Sequence, residues 1–407
     1  MSMSSFPERI AYKEALAIIR AKACERKLDS ELIAIKRVDG RVLAQEVVAP
    51  ISLPAFDNSR MDGYALRHAD LALDGNTQLH IAGEQFAGLR VDVALAPGQC
   101  MRITTGAPIP SDADTVVIKE NVRERDGMLE VPPGVQPGAD IRRAGEDVQS
   151  GEAVLETGSL LTPARISLAA ALGIASLAVS KRPTVAVFTT GDELVEPGLS
   201  LEPGQIYNSN RELLMGLLRN EGLEPVAWPT LPDDPARIET ALRDAASAFD
   251  VVITCGGVSA GEKDYLPALL GEYGEIHFWK VKMKPGMPML FGQMDKALFL
   301  GLPGNPVSVL ATFIALVRPL LDALQGRVEP RLRVLATLST AWHKQHERLE
   351  FLRGHLEYGQ DGVLRVRPNA ADASHRLRAA AGSDALIVLG EGVQHFDAGT
   401  VVEVLVY

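Results

Sequence analysis

The sequence predicts an α/β region joined to β-rich regions in one multidomain chain, and three observations carry that prediction. From Lys181 to about residue 321, short apolar runs alternate with helical patterns, as in a parallel sheet covered on both faces. Residues 51–144 are dense in turn segments such as APGQ, GAPIPSD and VPPGVQPGAD, with little helical period. Residues 331–407 return to short strands, which predicts a small β barrel or sandwich. At 407 residues the chain exceeds what one core ordinarily holds.

Each element has a local reason. Residues 7–25 read as a helix with Ala15, Ile18, Ile19 and Ala23 on one face. Gln99–Ile103 and Thr115–Ile118 are strand runs within the turn-rich segment. Residues 158–176 read as a helix, with Thr162 as N-cap and Pro163 at the first helical position. Thr184–Phe188 is a buried-strand run, and Asn210–Asn220 is a helix stopped by Gly222. Val226–Trp228 gives a further strand, and Asp233-Asp234-Pro235 opens a helix running to Phe249. Then come a strand at 251–254, a helix at 264–270, strands near 276–281 and at 297–301, and a helix at 306–321. The last strands are Val334–Leu338, Leu349–Leu356, Val363–Val366, Ala385–Leu389 and Val401–Val406.

Composition excludes several function classes. The formal net charge of −11 argues against a nucleic-acid binder, which needs a basic surface. A small anionic ligand remains open, because a pocket can be locally basic. The three cysteines, Cys24, Cys100 and Cys255, form no CxxC pair and imply neither a disulfide framework nor a cysteine zinc site. The N-terminus carries no apolar signal region. The longest nearly apolar stretch singled out, Ile166–Val179, is 14 residues and too short to span a bilayer. A cytoplasmic protein without membrane partners is expected.

The chemistry is expected outside the carboxyl ends of the α/β strands, where open sheets bind ligands. Three strand-to-helix loops there carry unusual residues: Thr189–Glu193, Gly256–Asp264 and Gly301–Ser308. Glycines such as Gly256 and Gly257 let backbone N–H groups approach a ligand, and a helix N-terminus adds donors for an oxyanion. A carboxylate at the same place repels that anion unless a cation lies between. Asp192, Glu193 and Asp264 therefore point to a Mg²⁺ shared with phosphate oxygens. Any one loop reads equally well as a turn followed by a helix cap; three on one sheet edge favour a ligand site. Ser259 is read as a hydrogen-bond donor to the anion. Strand alternation puts Lys280, Lys282 and Lys284 on one face, either as an anion cradle or as a solvated edge. No GKS/GKT P-loop, dinucleotide-type GxGxxG or HExxH is present.

Seven stretches occur in order: PAFDNSRMDGYAL (54–66), RITTGAPIP (102–110), RRAGED (142–147), TTGDEL (189–194), GGVSAGEKDY (256–265), KMKPG (282–286) and GLPGNPVS (301–308). Together they closely resemble the molybdopterin molybdenumtransferase family, which includes the gephyrin E domain. The likeness runs over about residues 8–375. It implies an elongated, four-part chain. Residues 8–27 and 181–329 would form a doubly wound α/β domain of the molybdopterin-binding type, and 28–50 with 145–180 a linking domain. Residues 51–144 would form a β-rich insert, and 330–407 a C-terminal β barrel. The resemblance also implies a homodimer whose cleft lies between the insert of one subunit and the α/β domain of the other.

The activity implied is insertion of molybdate into adenylylated molybdopterin, with Mg²⁺ as cofactor and AMP released. A molybdopterin adenylyltransferase is a conceivable partner. By motif, Asp62, Glu193, Asp264, Lys280 and Lys284 match the family's catalytic residues, with Asp264 and Glu193 towards the metal. Thr105 and Asp233 match residues of the same cleft. Pro303 and Pro306 shape the GLPGNP loop, and Arg353 and Ser374 match residues on the molybdate side. Two departures stand out: Met287 occupies a position where the family commonly has Lys, and 379–387 reads AAAGSDALI rather than the usual pattern. Two other readings remain. An adenylyltransferase-like enzyme resembles the GGVS region but would lack the insert and the C-terminal part. A non-catalytic, peptide-binding scaffold of the gephyrin E type could lose the carboxylates and lysines, which this chain retains.

Overall fold

The computed structural model describes residues 6–88, 94–259, 264–370, 373 and 375–407. Its centre is a seven-stranded sheet in the order Glu8–Ile10, Glu275–Val281, Leu290–Met294, Ala297–Leu302, Val251–Cys255, Val185–Thr189 and Val226–Ala227. All neighbours run parallel except Leu290–Met294, which pairs antiparallel on both sides. The wholly parallel sheet expected from the sequence is thus corrected to a mixed one. The missed strand turns into Ala297–Leu302 through Asp295-Lys296, where Asp295 adopts φ 49°. Without the usual Asn-Gly or Asp-Gly pair, that hairpin left no turn signal in the sequence.

Strand alternation feeds two cores, one on each face of the sheet. Val185, Val187, Val251, Ile253 and Cys255 pack with the helices Tyr12–Glu25, Ser209–Asn220 and the helical stretch Pro306–Leu324. Ala186, Phe188 and Val252 pack with the helices Pro235–Ala248 and Leu266–Tyr273. Pro306–Leu324 is long and apolar enough to cross a membrane, yet it lies mostly buried against this sheet. At 19 residues it exceeds the 14-residue stretch 166–179, so 166–179 is not the longest apolar stretch.

Capping chemistry sets several boundaries. Asp234 accepts from the backbone N–H of Ala236 at 2.9 Å and of Arg237 at 3.2 Å, and Pro235 follows it at the first helical position. Thr162 caps Pro163–Ala171 in the same way. That helix stops earlier than expected because Gly173 turns left-handed at φ 76°, and Ser176–Ser180 becomes a strand paired with Ser30–Ala34. Similarly, the first helix starts at Tyr12, and Glu8–Ile10 joins the sheet edge.

The turn-rich segment folds as a six-stranded sheet in the order Thr115–Ile118, Gly63–Leu66, Gln99–Ile103, Thr77–Gln85, Met128–Val131 and Arg123–Arg125. Its buried residues, among them Leu66, Leu79, Cys100, Ile103, Val116 and Leu129, come from this segment alone. At the C-terminus, Leu349–Tyr358, Leu364–Pro368, Val334–Leu338, Val401–Val406 and Ala385–Leu389 pair in turn. Ala385–Leu389 then closes back onto Leu349–Tyr358, giving a five-stranded barrel. A sixth strand on this barrel, Met283–Lys284, arrives from the α/β region and pairs in parallel with Leu349 and Glu350.

Candidate active site

Register aligns the strand ends that carry the site. Thr189 lies opposite Cys255, and Cys255 opposite Leu302. Three loops therefore leave the sheet side by side at its carboxyl edge. They stay in contact: Thr190 N–H donates to the Cys255 carbonyl at 3.3 Å, and Gly256 N–H to the Leu302 carbonyl at 3.1 Å. A fourth loop joins them, with Leu231 N–H donating to the Thr189 carbonyl at 2.9 Å and Asp233 N–H to Asp192 Oδ1 at 3.1 Å.

Glycine is required at two of these positions. Gly256 has φ 96°, and a Cβ there would stand 3.1 Å from the Thr190 carbonyl oxygen. Gly191 has φ 145°, and a Cβ there would meet Glu193 Oε2 at 2.5 Å, so the Glu193 carboxylate folds back over this glycine. In the third loop, Gly304 sits close to Gly256 and its carbonyl accepts from Asn210 Nδ2 at 2.6 Å. Pro303 is buried behind it and accepts from Cys255 Sγ at 3.3 Å, while Pro306 starts the next helix. Burial pushes the Cys255 thiol up to about 12, so it is no nucleophile at neutral pH.

Lys280 sits beside this edge. It adopts φ 69°, and its Nζ lies 3.7 Å from the centroid of the Trp279 ring. Trp279 in turn donates from Nε1 to the Val258 carbonyl at 2.9 Å, which ties it to the Gly256–Ser259 loop. Burial alternates along this stretch, with Val281 and Met283 buried between the three lysines. Lys282 is exposed beyond the strand, and Lys284 Nζ contacts Glu350 Oε1 of the barrel at 3.0 Å. Asp264 differs from expectation. The helix begins at Leu266 with Tyr265 in the cap position, so Asp264 stands one residue before the cap.

The insert holds a separate part of the constellation. Asp62 Oδ1 accepts from Thr105 N at 2.9 Å and from Thr105 Oγ1 at 2.8 Å, and Lys119 Nζ lies 3.5 Å from Oδ2. The two Thr105 donors, with Lys119 beside them, hold the half-exposed Asp62 carboxyl below its ordinary range. Arg353 is elsewhere again, 2% exposed in the barrel, with Nη2 donating to the Ala373 carbonyl at 3.2 Å. Ser374 lies outside the described residues.

Among the described residues there is no group of three or more metal-ligating side chains. The donors on the joined loops, Asp192, Glu193, Asp233 and Asp264, are all hard carboxylate oxygens. That chemistry fits a Mg²⁺ completed by phosphate oxygens and water. Sequence reasoning missed Asn210, Trp279, Lys119 and Glu350. Trp279 precedes the lysines directly, but the Glu350 contact spans distant segments and has no local signal.

Comparisons with known proteins match three consecutive stretches of the chain. Residues 10–173 match the family described as MoeA N-terminal region (domain I and II), 186–323 the probable molybdopterin binding domain, and 336–407 the MoeA C-terminal region (domain IV). A molybdopterin molybdenumtransferase of Haemophilus influenzae is 40% identical over 380 residues, covering 92% of this chain and 93% of that protein. One from Bacillus subtilis is 31% identical over 398 residues, covering 96% and 92%. A solved molybdopterin biosynthesis moeA protein from Pyrococcus horikoshii superposes with TM-score 0.84 at 29% identity, covering 98% of this chain and 100% of that one.

Proposed function

The chain belongs to the molybdopterin molybdenumtransferase family, and from that premise we propose that it transfers molybdenum from molybdate to adenylylated molybdopterin and releases AMP in a Mg²⁺-dependent step. It is a transferase of molybdenum cofactor biosynthesis. The observation that carries the finer reading is the alignment of Thr189, Cys255 and Leu302, which gathers glycine turns and carboxylates at one sheet edge. Gly257 and Ser259 offer backbone and hydroxyl donors suited to a phosphate, and Gly256 gives the turn its left-handed backbone. Glu193 and Asp264, with Asp233 beside them, would hold Mg²⁺, which would neutralise charge between carboxylate and phosphate oxygens. Lys280 and Lys284 supply ammonium groups for an oxyanion, and Arg353 a guanidinium. Pro303 and Pro306 hold the third loop in shape.

Asp62 and Thr105 stand in loops beside strands of a sheet with its own core, which supports a cleft completed by a second copy of the chain. In that homodimer the Asp62–Thr105 pair of one subunit faces the carboxylate loops of its partner. An adenylyltransferase-like activity is disfavoured, because the matches run from the N-terminal region through the C-terminal region. An adenylylated substrate does require such an enzyme upstream, and it is the natural delivering partner. The test is incubation of the purified protein with adenylylated molybdopterin, Mg²⁺ and graded molybdate. AMP release in step with molybdenum incorporation is the expected result. AMP release without molybdenum uptake, or no release, overturns the proposal.

A further inference from the structure

We propose that Glu350 is a positioning residue for the cleft: this buried carboxylate of the barrel holds the ammonium of Lys284 where the oxyanion substrate binds. The inference rests on the reading of Lys284 as an oxyanion-facing lysine given above. Glu350 is 2% exposed, and its Oε1 lies 3.0 Å from Lys284 Nζ. The same carboxylate has His346 Nε2 at 3.3 Å and Trp342 Nε1 at 3.5 Å. Lys344, a buried ammonium nearby, donates to the carbonyls of His346 and Gly392, at 2.6 and 2.5 Å.

The backbone fixes the geometry of this pair. Lys284 lies directly opposite Glu350 in a parallel ladder, and Arg348 Nη1 donates to the Met283 carbonyl at 3.4 Å. The barrel therefore holds both the main chain and the side chain of the KMKPG loop. Burying a carboxylate such as Glu350 against a part-exposed lysine is in general no more stabilising than an apolar contact of the same shape. Fold stability is thus a poor reason for placing a carboxylate here, whereas orienting a lysine is a sufficient one. An ammonium carries three donors, so contact with Glu350 is compatible with contact to a ligand oxygen. The barrel would then act on the chemistry through Lys284 without touching the substrate itself.

Two measurements on the full-length protein test this. Competitive acylation with peptide mapping reads the state of the Lys284 amine without any turnover. Glu350→Gln should raise its reactivity at fixed pH about tenfold, because a neighbouring opposite charge favours the protonated form. The second is the molybdate dependence of AMP release. Glu350→Gln should raise half-saturation about tenfold, adding nothing further in a Lys284→Ala background. Glu350→Asp, which keeps the charge one methylene shorter, should lie between wild type and Glu350→Gln, and it carries the same comparison if Glu350→Gln loses its cooperative melt. Unchanged Lys284 labelling and molybdate dependence in Glu350→Gln, beside an impaired Lys284→Ala, overturn the inference and leave the proposed function intact. A Lys284→Ala variant with wild-type molybdate dependence removes the substrate role of Lys284, and the inference with it.

Discussion

Asp62 Oδ1 accepts both hydrogen bonds that Thr105 can offer it, from the backbone N–H at 2.9 Å and from the hydroxyl at 2.8 Å. These bonds favour the ionised carboxyl and depress its pKa in the fold. The stabilisation they give is complete above the ordinary carboxylate pKa and is lost as pH falls through the depressed folded value. Asp62 is therefore ionised throughout the neutral range. Thr105→Val should move its titration upward toward the ordinary value of about 3.9, read by carboxyl carbon NMR. Stability should not change with pH between about 6 and 8 on account of this pair.

Gly256 and Gly304 make a matched comparison. Gly256→Ala imposes a left-handed φ on an L-residue and places a methyl against the Thr190 carbonyl. It should cost roughly 1–3 kcal/mol and impair AMP release, since the two loops are joined there. Gly304→Ala meets nothing closer than 4.0 Å and needs no left-handed backbone. It should cost under about 1 kcal/mol. Equal denaturation midpoints for the two would contradict this account of the turn.

On the proposed reading, Asp264→Asn replaces a hard anionic ligand by a weaker amide oxygen. AMP release should fall and be partly restored by raised Mg²⁺. The helix begins after Tyr265, so the melting temperature should change little. Wild-type Mg²⁺ dependence in this variant would remove Asp264 from the metal.

Lys280→Ala removes an ammonium beside the same loops. A well-placed charge-assisted contact contributes roughly 1.5–3 kcal/mol, so the molybdate requirement should rise by about 10- to 100-fold, with no rescue by Mg²⁺. An unchanged molybdate requirement would leave Lys280 as packing on Trp279 alone.

The parts legible in the sequence were those written locally. Thr184–Phe188, 251–254 and 297–301 announced themselves as apolar runs, and their register then aligned the glycine loops. Asp234-Pro235 and Thr162-Pro163 named their own helix starts. What failed depended on backbone states or partners that no local pattern records. The left-handed turn at Asp295 hid a strand. Glu350 meets Lys284 only because the α/β region lends the barrel a strand.

The claim that the centre is assembled between subunits is tested most directly by a purified mixed dimer of one Asp62→Ala subunit and one Asp264→Ala subunit. A shared cleft puts both lesions into one centre and leaves the other intact, so about half the wild-type AMP release per dimer should return, although each variant alone is inactive. Were each centre contained in one chain, both centres would carry a lesion. A mixed dimer as inactive as its parents would contradict the account.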